Sequence, residues 1–169
     1  MAKLIIIEPS RCTACRACET ACSLVKTGTV NPELSRIRVQ QWREDYFYYP
    51  LVCAQCEIAY CALACPTEAL AKNHDTSWVD FFPDKCIGCK MCVIACPFGA
   101  ITMQGSRAAK CDLCGGDPTC VKFCEPHAIR FGEPEELAQE KRLKTALRFK
   151  EVFDRVTFLN RDTAATPPG

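Results

Sequence analysis

Apolar residues in this chain come in short runs, not in long periodic stretches. Residues 3–7, 46–52 and 78–82 each read as a brief strand that leads directly into a group of cysteines. Arg36-Ile37-Arg38-Val39-Gln40 alternates polar and apolar with period two, the mark of a half-buried strand. A similar tail recurs three times, as Pro66-Thr67-Glu68-Ala69-Leu70, Pro97-Phe98-Gly99-Ala100-Ile101 and Glu125-Pro126-His127-Ala128-Ile129. Each copy reads as a turn entering a short strand, so the chain carries an internal repeat. Further on the pattern changes. Pro134, Glu135 and Glu136 suit the first turn of a helix. Leu137, Leu143, Leu147 and Phe149, set among lysines and arginines, continue it to about Phe153. This helix is expected to strap across the domain or lie against another subunit, and residues 163–169 read as a loose end.

The cysteines turn this pattern into chemistry. Sixteen of them stand in four sets: Cys12, Cys15, Cys18 and Cys22; Cys53, Cys56, Cys61 and Cys65; Cys86, Cys89, Cys92 and Cys96; Cys111, Cys114, Cys120 and Cys124. The first and third follow C-x2-C-x2-C-x3-C, the run by which bacterial ferredoxins hold cubane clusters, and Pro97 follows the third. In such a run three thiolates point at one cubane and the fourth ligates its neighbour, so the motifs work in pairs. The second set widens the gap between Cys56 and Cys61 and keeps a proline, Pro66. The fourth widens the gap between Cys114 and Cys120 and places Glu125 before Pro126, and the first has Ser23 where a proline would come.

All sixteen cysteines are therefore read as iron ligands. The predicted fold class is α+β: a tandem ferredoxin-like domain with four 4Fe-4S cubanes, short strands and small helices over residues 1–132, with an insertion at 26–49. A C-terminal helical extension and tail occupies 133–169.

Two other uses of cysteine fit less well. Structural zinc sites pair two C-x2-C knuckles across a longer spacer and need no third cysteine three residues on. Disulfides replace a core in small secreted domains, but residues 1–7 are too short for a leader and run into Glu8 and Pro9. The expected location is the reducing cytoplasm, with export bound to a signal-bearing partner as the other route.

Composition changes the picture in two ways. Once cysteine is set aside, about 40% of the chain is apolar, a thin core for its length. The formal charge of +1 is that of the protein alone. Four oxidised cubanes with their thiolates would take it to about −7. Arg11, Arg16, Lys85, Lys90, Lys110 and Lys122 lie in or beside the motifs, either tuning cluster potential or forming ordinary solvated surface.

No basic stripe interleaved with aromatics suggests nucleic acid, and no apolar run approaches the ~20 residues of a membrane span. There is no G-x-G-x-x-G, P-loop or histidine-carboxylate set, so no substrate chemistry or catalytic residue is expected. His74, in a polar loop, and His127, at a repeat position shared with Glu68 and Gly99, are read as surface residues. Trp42, Tyr46, Phe47, Tyr48 and Tyr49 in and beside the insertion read equally as a docking face or a shield over a cluster.

Four motifs in this order resemble a known family. Arg11-Cys12-Thr13-Ala14-Cys15-Arg16-Ala17-Cys18-Glu19 opens the first motif and Lys85-Cys86-Ile87-Gly88-Cys89-Lys90-Met91-Cys92 the third. With the widened second and fourth sets, these are similar to the four-cluster electron-transfer subunits that accompany molybdenum or tungsten pterin enzymes. The likeness covers about residues 3–131, and in size it is nearest to the small iron-sulfur subunits of tungsten aldehyde oxidoreductases.

The resemblance implies nested pairing. Cys12, Cys15, Cys18 and Cys124 would hold one cluster, and Cys111, Cys114, Cys120 and Cys22 its neighbour. Cys53, Cys56, Cys61 and Cys96 would hold a third, and Cys86, Cys89, Cys92 and Cys65 a fourth. It also implies a relay from a tungsten- or molybdenum-pterin catalytic subunit to a flavin subunit or soluble acceptor. Equivalent relays serve nickel carbon monoxide dehydrogenases and hydrogenases, and a free polyferredoxin is a third reading. The aromatic insertion and terminal helix also raise self-association, head to tail, as an expectation.

Overall fold

Proline sets the entrance to two of the motifs. In the computed structural model, which describes residues 3–163, Pro9–Arg11 and Pro83–Lys85 each form a single 3-10 turn with proline at its start. The N–H groups of Cys12 and Cys86 close these turns on the carbonyls of Pro9 and Pro83, at 2.9 and 3.1 Å.

The third cysteine of every motif is then the second residue of a helix: Cys18 in α1 (Ala17–Thr27), Cys61 in α2 (Tyr60–Leu63), Cys92 in α3 (Met91–Ala95) and Cys120 in α4 (Thr119–Lys122). Only α1 runs beyond two turns. It ends at Gly28, whose left-handed φ of 72° lets its N–H reach the Leu24 carbonyl at 2.9 Å. In α3 the stop comes earlier, because Pro97 holds Cys96 extended.

Among the described residues, strands connect the motifs as four two-stranded antiparallel sheets. β1 (Leu4–Ile7) pairs with β8 (Ile129–Gly132), Leu4 opposite Gly132 and Ile7 opposite Ile129, and so joins the approach to the first motif to the exit from the last. β4 (Leu70–Lys72) and β5 (Val79–Phe81) link the second motif to the third, and β6 (Ile101–Gln104) and β7 (Arg107–Lys110) link the third to the fourth. The insertion folds as a hairpin of β2 (Arg38–Trp42) and β3 (Phe47–Leu51).

The alternating run therefore enters its strand two residues later than its pattern predicts. The Ser35 hydroxyl donates to the Ile37 carbonyl at 2.8 Å and accepts from the Ile37 N–H at 3.2 Å, which takes both groups out of the ladder. At the hairpin tip Trp42 packs against Phe47, the rings tilted by 47° with centroids 5.5 Å apart, and Tyr46 is 84% exposed. Trp42, Tyr46 and Phe47 at the tip are open to solvent, while Tyr48 and Tyr49 are half-buried.

Cysteines are themselves core. One buried cluster gathers Ile37, Val52, Leu113, Ala128 and Ile129 around Cys18, Cys22, Cys111, Cys120 and Cys124. A second gathers Ala59, Leu70, Val79, Ile101 and Ala108 around Cys92. The chain divides into two units after Gly132. The second contains α5 (Pro134–Thr163), about ten residues longer than its apolar pattern suggests, with Leu143, Leu147, Phe149, Val152 and Phe153 exposed. Residues 164–169, the greater part of the stretch read as a loose end, lie outside the described residues. Among the described residues no helix is long and apolar enough to cross a membrane.

Candidate iron-sulfur sites

Three cavities of nearly equal size are each lined by four cysteines. Cys65, Cys86, Cys89 and Cys92 line the first (site 1), about 340 Å³ of space between atoms. Cys53, Cys56, Cys61 and Cys96 line the second (site 2), about 350 Å³. Cys22, Cys111, Cys114 and Cys120 line the third (site 3), about 310 Å³. The remaining four thiols form site 4: Cys12 and Cys18 both lie within electrostatic reach of Cys15 and Cys124. In every site three thiols come from one motif and the fourth from another.

Helix geometry places the sites in a row. Cys18 and Cys22 are one turn apart on α1, and one serves site 4 while the other serves site 3. Cys111 of site 3 lies close enough to Cys53 of site 2 to feel its charge. Cys92 stands in the first turn of α3 within site 1 and Cys96 caps the helix within site 2. The order is thus site 1, site 2, site 3, site 4. The two exposed cysteines, Cys89 and Cys15, belong to the two end sites.

The loops that deliver these thiols share an unusual backbone. The residue before the second cysteine has positive φ in all four motifs: Ala14 at 56°, Gln55 at 51°, Gly88 at 70° and Leu113 at 54°. Arg16, Lys90 and Gly115, just after the second cysteine, do the same. In the first and third motifs this alternation of hand curls the loop into a nest suited to an anion, whereas in the fourth Leu113, Cys114, Gly115 and Gly116 are left-handed in succession. For residues with a side chain, this conformation costs about 1–3 kcal/mol each. Glu68, Gly99 and His127 share a left-handed turn at matching repeat positions, and all three are exposed.

Backbone N–H groups also reach sulfur directly. Ala69 donates to the Cys65 sulfur at 3.2 Å and Ala100 to that of Cys96 at 3.4 Å, four residues on in each repeat. The first motif lacks the proline turn that makes this contact. Its Cys22 sulfur accepts instead from the Arg36 N–H at 3.4 Å, so the insertion supplies the missing donor.

Burial pushes the Cys18 thiol up to about 12, helped by the Glu19 carboxylate beside it. It also pushes Cys111 up to about 12 and raises Cys120 and Cys61. Cys65 goes the other way: burial would raise it, but N–H groups from Leu70, Thr67 and Ala69 outweigh that and lower it. Buried thiols of this kind give up their protons to a strong counter-charge such as iron, with proton release on binding.

Charged side chains sit close by. Glu19, 1% exposed, takes the Val39 N–H at 2.7 Å and the Arg16 guanidinium at 2.6 Å. At site 3 burial would raise Asp112, but Lys26 at 2.8 Å and Arg36 at 3.3 Å hold its carboxyl below the usual range. Of the six basic residues singled out by sequence, Arg11, Arg16, Lys85, Lys90 and Lys122 are exposed. Lys110 is 2% exposed and lines site 2. Its burial comes from β7, where Ala108, Ala109 and Lys110 are all buried, and no signal in the motif itself predicts it.

The donor set fits a multi-atom cluster. Among the described residues no three His, Cys, Asp or Glu side chains come close enough to share a single metal ion, yet four thiols line each cavity. A cubane places iron between thiolates held further apart, and the inward N–H groups and buried ammonium suit its negative charge.

Family models agree with this chemistry. A 4Fe-4S dicluster domain matches residues 44–134 and a 4Fe-4S binding domain matches residues 9–28. The chain is 42% identical over 122 residues to the aliphatic sulfonate oxidoreductase polyferredoxin-like subunit of Pyrococcus furiosus, covering 71% of this chain and 70% of that one. It is 36% identical over 155 residues to the putative electron transport protein YsaA of Escherichia coli, covering 83% and 96%. With the electron transport protein HydN of the same species it shares 33% over 177 residues, covering 88% and 100%. A chain of the BamBC active site complex of benzoyl coenzyme A reductase aligns at TM-score 0.46 and 26% identity, over 92% of this chain and 98% of that one. This chain belongs to the 4Fe-4S dicluster ferredoxin family, together with these polyferredoxin-like and electron transport proteins.

Proposed function

We propose that this chain is a non-catalytic electron-relay subunit whose sixteen cysteines hold four 4Fe-4S clusters, one in each of sites 1 to 4. The observation that carries this reading is the row of four-thiol sites, with an exposed cysteine at each end. A cubane bound in each site supplies one-electron storage with little movement of its ligands. The chain's own part is spacing and environment. α1 carries cysteines of two neighbouring sites, and so does α3 with its cap Cys96, each pair of cysteines standing about one helical turn apart. None of the cysteines of the inner sites is exposed, while Cys89 and Cys15 leave the end sites open to partners.

The partner follows from the sequence resemblance: a tungsten- or molybdenum-pterin catalytic subunit, with a flavin subunit or soluble protein on the other side. The relative named as a subunit of an aliphatic sulfonate oxidoreductase supports an enzyme-bound relay. Near-complete coverage of two relatives named as electron transport proteins supports a second reading, a free polyferredoxin. Anaerobic purification of the native complex through a tag on this chain distinguishes them. Tungsten or molybdenum copurifying with iron is the expected result. Nickel with iron would point to a dehydrogenase or hydrogenase relay, and iron alone on a monomeric chain to the free carrier.

A further inference from the structure

The buried ammonium of Lys110 stands on the boundary between sites 2 and 3. It lines site 2, and its own backbone leads into Cys111 of site 3. Its Nζ donates to the Gln55 side-chain oxygen at 3.0 Å, the Val79 carbonyl at 2.9 Å and the Cys111 carbonyl at 2.8 Å. All three acceptors are neutral.

Gln55, 4% exposed, completes the arrangement. Its oxygen also accepts from the Val79 N–H at 3.0 Å, and its amide donates to the Cys111 carbonyl at 2.9 Å. A residue of the second motif's loop thus clamps a residue at the mouth of the fourth. A buried cation with only neutral acceptors is costly unless an opposite charge lies near. Site 2 supplies the place for one: Lys110 lines the same cavity as Cys53, Cys56, Cys61 and Cys96.

We propose that Lys110, held in place by Gln55, raises the reduction potential of the cluster in site 2 above the value the same ligands would otherwise give. Taking up an electron makes a cluster more negative, and a fixed positive charge in a water-poor setting stabilises that reduced state. Lys110 acts here as a positioning residue, supplying charge without ligating iron. The inference rests on the four-site reading.

The test is an EPR-monitored redox titration, with dithionite as reductant, of the full chain purified anaerobically with its clusters. Lys110→Met and Lys110→Gln are each expected to move one spectral component to more negative potential while the components of sites 1 and 4 stay. Lys110→Arg should keep the wild-type value. Lys110→Gln removes the charge but keeps an amide donor for the neighbouring carbonyls, and decides the matter if Lys110→Met fails to retain iron. Unchanged potentials in an iron-replete variant, or an equal shift of every component, would overturn the proposal. Iron content of the wild type separates the two failures: fewer than four clusters contradicts the relay reading, whereas four clusters without a shift contradicts only the role of Lys110.

Discussion

Motif three has Gly88 where motif one has Ala14, and both residues take positive φ. What differs is the neighbour. A Cβ built on Gly88 would overlap the backbone carbonyl of Ser106, in the turn between β6 and β7. Gly88→Ala should therefore combine an overlap with left-handed strain and destabilise the holoprotein by about 1–3 kcal/mol. Ala14→Gly should be neutral or stabilise by up to about 1 kcal/mol, because it relieves a strained conformation. The rate at which visible cluster absorbance is lost on heating reads both, and equal rates for the two variants would contradict the argument. At this scale the sequence was legible for cysteine, whose spacing alone carries the chemistry. Lys110 was one of six basic residues the sequence singled out, but its burial and its partner Gln55 were not legible, because they arise from a side-chain contact across 55 residues of chain.

Helices make the link between neighbouring sites. Cys18 and Cys22 face two different sites from one turn of α1, so helical phase decides whether site 3 is complete. One alanine inserted between Ala21 and Cys22 would rotate Cys22 by about 100° away from its place. Iron in the full chain should fall by about a quarter, the content of one cubane, with sites 1 and 2 retained. Unchanged iron would contradict the geometry. Short strands and the terminal helix were legible from apolar pattern. The strand in the insertion was displaced by two residues because a serine hydroxyl, invisible to periodicity, occupies the backbone of Ile37. The Arg36 N–H that replaces the first motif's missing turn was not legible either, since it arises from the path of the inserted chain over α1.

At the scale of the molecule, four small two-stranded sheets and a thin apolar core leave cohesion to the cysteine-lined sites. Their order came from structure: spacing shows that fourth cysteines cross over, but only the fold sets site 2 beside site 3, through Cys53 and Cys111. A basic residue sits at that junction, the two exposed thiols sit at the ends, and the whole arrangement reads as a path through one subunit. The central claim is that all four sites are loaded in one chain. Iron and acid-labile sulfide, counted per chain after purification of the full protein without oxygen, test it most directly. The account predicts about sixteen of each, from four cubanes. About eight of each, or zinc in place of iron, would contradict it.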